Sequence, residues 1–229
     1  MKVLSISTST PRGSVAIVRD DGTATEATYV DLQGHAERLF TAIDEALARA
    51  GETRASLDAL ACDVGPGSFT GVRVGVASTK GIALALGLPL VGVTSLEAMA
   101  MAAFSEGAAD PDDVVVAAID AKKNEIFLAA HRRSGEIVLA PSTRPLAGEA
   151  FVIAEAPAGA RLVAVGEIAA GLSLPGGVRL ARGPALDLPD AAWIGRLALS
   201  RLAGGAPGDP ELLEPLYVRA PDATPMVAV

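Results

Sequence analysis

The run Gly65-Pro-Gly-Ser-Phe-Thr-Gly71, continued by Val72-Arg-Val-Gly75, constrains this chain more than any other stretch. It lies where an apolar segment, 57–64, gives way to a long segment of small residues, 70–86. Three glycines and a proline in seven residues impose a stiff, narrow turn that lets other groups approach the backbone closely. At a helix start such a turn presents free N–H groups, an arrangement suited to a phosphate. A tight turn that only brings strand and helix together has the same spacing, so both readings stand at this point. No Gly-Lys-Ser/Thr follows, which excludes a Walker loop.

Around this turn the chain reads as a repeating unit. Residues 2–8, 13–19 and 24–30 are predicted strands, with Asp21-Gly22 as a tight turn. A helix over 36–50 follows, with Leu39, Ile43 and Leu47 on one face and Gly51 as its stop. Then come strand 57–64, the glycine turn, helix 70–86, strand 89–93 and helix 95–104. Residues 105–113 are small and polar and read as a linker. Beyond it the pattern restarts with strands over 114–120, 125–132 and 136–140. Val3-Leu-Ser-Ile-Ser-Thr is matched by Val116-Ala-Ala-Ile-Asp-Ala, which marks an internal duplication. The second copy is degenerate, with strands near 161–165 and 178–181, a helix near 191–202 and a Gly/Pro loop at 204–209. The expected fold is α/β: a duplicated ribonuclease-H-like layout of the actin-like ATPase (ASKHA) class, two lobes each with a βββαβα mixed sheet. The lobes are expected at 1–105 and 106–229, the last segment packing back on the first.

Composition narrows the function classes. The net charge is −8 and no basic run exceeds a pair, so the chain is poorly equipped to grip nucleic acid alone. The single cysteine, Cys62, excludes an internal disulfide and points to a reducing, cytoplasmic setting. In its apolar strand Cys62 is a small buried hydrophobe rather than a nucleophile. The N-terminus reads directly into a strand, so no cleavable leader is expected. The apolar stretch 72–93 carries Arg73 and Lys80 and is broken by Gly81, Gly87 and Pro89, so no membrane span is expected.

Several segments together resemble the bacterial TsaB (YeaZ) family: the opening Val3–Thr10, Gly34-His35-Ala36-Glu37, the Gly65–Gly75 motif, Ala118-Ile-Asp-Ala-Lys-Lys-Asn-Glu-Ile-Phe127, and Glu214-Pro-Leu-Tyr-Val-Arg219. The resemblance runs nearly end to end, and the closing segment favours TsaB over its catalytic paralogue TsaD. It implies a noncatalytic subunit in the threonylcarbamoyladenosine modification of the tRNA adenosine beside the anticodon. Such a subunit pairs with TsaD, helps recruit TsaE, self-associates through the same helical face, and meets tRNA only through the complex. The residues carried over to that face are Leu39, Phe40, Ile43, Leu47, Gly71, Arg73, Val74, Gly75 and Ser78. A large side chain at Gly75, or a charge at Val76, is then expected to block the partner without unfolding the lobe. Gly65, Gly67, Ser68, Asp120 and Lys122 form the nucleotide-proximal set, with no resident cofactor expected beyond ATP or ADP at the joint surface with TsaD.

No catalytic residues and no metal site are expected. TsaD-like chains carry a His-x-x-x-His just after the strand that follows the glycine motif; two histidines at that spacing share a helix face and suit a metal. Here Ser95 and Met99 occupy those positions, and a hydroxyl and a thioether are weak ligands for such a cation. The chain has only two histidines, His35 and His131, far apart in sequence. His35 reads as a helix-cap or surface residue, Glu97 as a solvated charge, and Trp193 as core of the second lobe. Related nucleotide hydrolases place an acid in the first strand, where this chain has Ser7; Asp120 stands alone at the matching place in the second copy. The rivals are an actin-like ATPase or phosphotransferase, which needs a carboxylate pair, a metallopeptidase, which needs the missing histidines, and a self-associating dimer with its own partners.

Overall fold

Residues 1–31, 36–205 and 208–219 are described by the computed structural model. Gly34 and His35 lie outside the described residues.

The first sheet is built from β1 (Lys2–Ser7), β2 (Arg12–Arg19), β3 (Ala24–Val30), β4 (Ala59–Asp63) and β5 (Leu90–Val93), in the order β3-β2-β1-β4-β5. The hairpin-linked strands run antiparallel, while β4 and β5 join in parallel. Parallel neighbours need crossover connections, and two helices supply them: α1 (Ala36–Ala50) before β4 and α2 (Phe69–Leu86) between β4 and β5. The second sheet comprises β6 (Val114–Lys122), β7 (Glu125–His131), β8 (Ile137–Pro145), β9 (Leu162–Val165) and β10 (Val178–Leu180), in the order β10-β9-β6-β7-β8. Read from the hairpin side, both sheets share one order and one pattern of parallel and antiparallel pairs. The duplication expected from sequence is thus present in topology, and the fold is the two-lobed ribonuclease-H-like one.

The second copy keeps its strands and loses its crossover helices. Between β8 and β9 only a 3-10 turn at Gly148–Phe151 remains, and between β9 and β10 another at Glu167–Gly171. Its β8 runs five residues past the expected end at Ala140, through Pro141 to Pro145. Proline cannot donate to a ladder and is tolerated there because β8 is an edge strand.

The helices do not respect the expected boundary at 105/106. Helix α3 (Ser95–Ser105), from the first copy, packs on β6, β7 and β9; Leu96, Met99, Ala103 and Phe104 enter the core with Val115, Ile119, Phe127 and Val163. Helix α5 (Ala191–Ala203), which follows the one-turn α4 (Pro184–Asp187) in the second copy, packs on β1, β2, β4 and β5, with Ile194 and Ala198 against Val3, Ala59, Ala61 and Val93. The lobes therefore exchange helices, and the sequence division 1–105/106–229 separates strands but not cores. Trp193 is half-buried between the two cores rather than inside the second. Glu97 is likewise no solvated charge: both its oxygens lie within 2.7 Å of one Arg201 nitrogen, clasping α3 to α5.

Helix α1 shows which readings of an amphipathic face hold. Leu39 and Ile43 are wholly buried and Leu47 nearly so, all in the first core. Burying such a side chain stabilises by roughly 1.5–3 kcal/mol, so this stripe holds the lobe together. Their expected place on a partner face is corrected accordingly; of the four α1 residues in that set only Phe40 is exposed.

Candidate functional site: the interlobe cleft and the α2 face

A fully buried carboxylate organises the glycine turn. Asp63 ends β4, and its Oδ2 accepts hydrogen bonds from Ser7 Oγ at 2.7 Å and Ser9 Oγ at 2.6 Å. Its Oδ1 accepts from Ser95 Oγ at 2.6 Å and from the Gly65 amide at 2.8 Å. Burial raises the Asp63 pKa, while the three hydroxyls and the amide pull the other way. Ser95 thus spends its hydroxyl on the turn, and Met99 is core. Ser7, at the place of the missing acid, likewise points to Asp63. Burial pushes the neighbouring Cys62 thiol up to about 12, as befits an inert core residue.

The turn itself is clamped onto the β1–β2 loop. Gly65 has φ +95° and a cis bond to Pro66. The Ser68 amide donates to Ser9 O at 2.7 Å, and a Cβ on Gly67 would fall 2.2 Å from that same oxygen. Ser68 caps α2, accepting from the Gly71 amide at 3.2 Å. Close approach therefore explains Gly67 fully, in favour of the packing reading.

Between the lobes lies a cavity of about 710 Å³. Gly67 and Ser68 line it from the first lobe, Asp120 and Lys122 from the second. Four of the five nucleotide-proximal residues are thus brought together; Gly65 is buried beneath the turn. Lys122, Lys123 and Asn124 all have positive φ, at 63°, 54° and 60°, in the tight β6–β7 hairpin. Asp120 steadies it, accepting from the Lys122 amide at 2.7 Å and its ammonium at 2.6 Å. Burial opposes ionisation of Asp120, but these bonds from Lys122 win and hold its carboxyl below the ordinary value. Among the described residues, no group of three or more His, Cys, Asp or Glu could hold a metal ion. The His-x-x-x-His positions supply no such group either.

Helix α2 has two kinds of glycine. Gly71 and Gly75 are buried, and a Cβ on Gly75 would meet Thr8 Oγ1 at 2.2 Å. Val76 is 3% exposed. Substituting Gly75 by Leu or Val76 by Glu would therefore disrupt the lobe itself, contrary to the sequence expectation. Gly81 differs: it is exposed, and a Cβ there would meet nothing within 4 Å among the described residues. With Ala77, Leu84 and Ala85 it forms an exposed stripe of mostly small residues. Arg73 is exposed beside it, and Val74 and Ser78 are half-buried.

The last described segment, 208–219, crosses α2 toward the second lobe. Lys80 Nζ donates to Leu213 O at 3.0 Å, and the Leu216 amide donates to Val64 O at 2.7 Å. The Arg73 guanidinium lies 3.6 Å over the Phe69 ring, and its Nε donates to the Tyr217 hydroxyl at 2.7 Å. The residues that carry the sequence signal for this segment are those of the motif Glu214–Arg219.

A duplicated ribonuclease-H-like protein with an interlobe cleft, a clamped glycine turn and an exposed small-residue helix face is the class that these features define. Comparison with known proteins narrows it. The family model for TsaD, tRNA N6-adenosine threonylcarbamoyltransferase, matches residues 30–173. An uncharacterized protein of Mycobacterium tuberculosis is 34% identical over 230 residues, covering 98% of this chain and 94% of its own. The tRNA threonylcarbamoyladenosine biosynthesis protein TsaB of Escherichia coli is 37% identical over 133 residues, covering 58% of this chain and 56% of that protein. The structure of YeaZ from Pseudomonas aeruginosa superposes with a TM-score of 0.77 at 30% identity, covering 94% of this chain and 99% of that one. This chain belongs to the TsaD family, in its TsaB (YeaZ) branch.

Proposed function

We propose that the protein is a noncatalytic subunit required for tRNA N6-threonylcarbamoyladenosine modification, acting on the adenosine next to the anticodon through a complex with TsaD. It supports TsaD by pairing through α2 and helps recruit TsaE. Alone it pairs with a second copy through the same face. It meets tRNA only within the complex, in the cytoplasm. Among the described residues no helix is long and apolar enough to cross a membrane.

The observation that carries this reading is Gly81. Glycine in a helix interior costs about 1 kcal/mol relative to alanine. Gly75 offsets that cost by its close approach to Thr8 inside the lobe, whereas Gly81 has no neighbour within 4 Å among the described residues. A partner backbone seated on the Ala77–Gly81–Ala85 stripe supplies the missing reason. Nucleotide at the joint surface is part of the proposal; the position of Gly67, Ser68, Asp120 and Lys122 around one cavity supports a phosphate-bearing ligand nearby. Ser7, whose hydroxyl is committed to Asp63, weighs against independent phosphoryl transfer.

Gly81→Arg tests it. The variant should fold with an unchanged melting profile, fail to co-elute with TsaD, and lower threonylcarbamoyladenosine in tRNA nucleosides measured by mass spectrometry. Full co-elution of Gly81→Arg with TsaD would remove α2 as the pairing face. Unchanged nucleoside levels after depletion of the protein would remove the pathway.

A further inference from the structure

We infer that residues 213–219 form a releasable latch that holds the two lobes together along one wall of the cleft and is opened from the α2 face. The segment is anchored at both ends in different cores. Leu213 packs against the first core and Val218, five residues on, against the second. Between them Leu216 and Tyr217, with Val218 and Arg219, line the cavity.

The two anchors also differ in chemistry. On the first lobe the segment is held by Lys80, by the Val64 carbonyl, and by Tyr217 in a stack with Phe69 and Arg73, the ring centroids 5.5 Å apart. On the second lobe Arg219 donates to Glu125 Oε2 at 2.7 Å, beside the Ala121 carbonyl at 3.4 Å. Glu125 directly follows the hairpin of Lys122, Lys123 and Asn124, so the latch ends on the turn that carries Asp120 into the cleft.

Position on α2 makes the latch addressable. Residues 73, 77, 80 and 84 recur at helical spacing along one face. Arg73 and Lys80 therefore stand in line with the exposed Ala77 and Leu84, and whatever covers that face competes for the cations that hold the segment down. The polar grip is exposed: Tyr217 and Arg73 both face solvent. Local openings of this kind are drawn from the less stable parts of a structure.

The inference is tested on the chain alone, so it stands or falls separately from the proposed complex. Hydrogen exchange read by mass spectrometry is compared for Arg73→Ala, Tyr217→Ala and Glu125→Gln. Arg73 and Tyr217 are paired with each other and with Phe69 at the start of α2, whereas Glu125 is paired with Arg219 at the start of β7. A latch predicts one shared footprint: exchange about tenfold faster over 119–127 and over 64–70 in all three variants, the size expected when one charge-assisted hydrogen bond is lost. Tyr217→Phe, which keeps the ring and removes only the acceptor hydroxyl, should show the same footprint more weakly. Faster exchange confined to 209–219 would make the segment a mere surface appendage and overturn the inference. So would separate local effects, with Glu125→Gln altering the hairpin alone and Arg73→Ala altering α2 alone. Glu125 is half-buried and Glu125→Gln keeps its size and shape, so that variant decides the matter even if Tyr217→Ala fails to fold.

Discussion

Ser95 Oγ lies 2.6 Å from Asp63 Oδ1, tying the first turn of α3 to the end of β4. The Ser95 amide also donates to Gly65 O at 2.9 Å. Residue 95 therefore holds the glycine turn in place twice over, from a helix that otherwise serves the other lobe. Asp63→Ala would strand the Ser7 and Ser9 hydroxyls and the Gly65 amide in the interior, while the Ser95 hydroxyl keeps the Pro66 carbonyl at 3.0 Å. Stranded buried donors cost about 1–3 kcal/mol each. The expected outcome is a loss of at least ~3 kcal/mol in urea unfolding, with Ser95→Ala losing less, about 1–2 kcal/mol. Wild-type stability in Asp63→Ala would show that the network does not hold the turn.

The two kinds of glycine in α2 should respond with opposite sign. Gly81→Ala fills open space on an exposed helix and should stabilise by about 0.5–1 kcal/mol. Gly75→Ala must displace Thr8, whose hydroxyl donates to Gly71 O at 2.8 Å, and should destabilise by about 1–3 kcal/mol. Denaturant midpoints of the two variants decide it.

His131 makes the fold sensitive to acid. It is buried on β7 between Val115 and Ile137, its Nδ1 without a hydrogen-bond partner among the described residues, and burial lowers its pKa from 6.5 to about 4. The folded state holds the neutral ring, so the unfolded chain binds more protons between these values. Stability is complete above pH 6.5, falls as the pH drops toward 4, and changes no further below. The loss approaches ~3 kcal/mol. His131→Leu should flatten that part of a melting-temperature profile.

Glu26 works in the opposite direction. On β3, it faces Asp190, the N-cap of α5, and burial with the Asp190 charge raises its pKa from 4.5 to about 7, against Arg196 and Arg12. A raised carboxyl favours the folded state at low pH. That contribution is complete below pH 4.5 and is lost as the pH rises through 7. Glu26→Gln keeps a neutral side chain at all pH values and should be more stable than the parent above pH 7.

The strands were legible because their apolar runs and turn residues are local signals. So was the duplication, since β1 and β6 carry matching strings at matching places. Which sheet a helix covers was not legible: α3 and α5 are apolar on several sides, and periodicity says that a face is buried without saying against what. The same limit misplaced Leu39, Ile43 and Leu47. Small-residue spacing could not separate Gly75 from Gly81, because the distinction rests on Thr8, far away in sequence. Asp63 is inconspicuous in the sequence for a related reason. One acid at the end of an apolar strand looks like a boundary until Ser7, Ser9 and Ser95 converge on it.

The crossed placement of α3 and α5 bears on how the chain can be divided. A fragment ending near Ser105 would keep α3 with nothing to cover and leave the β1–β4 surface without α5. The complementary fragment would have the reverse defect. Each half alone is therefore an adhesive, poorly soluble piece, whereas the two produced together carry everything needed to reassemble. Their descent from a repeated unit has been overwritten by mutual dependence, each sheet now covered by a helix of the other copy.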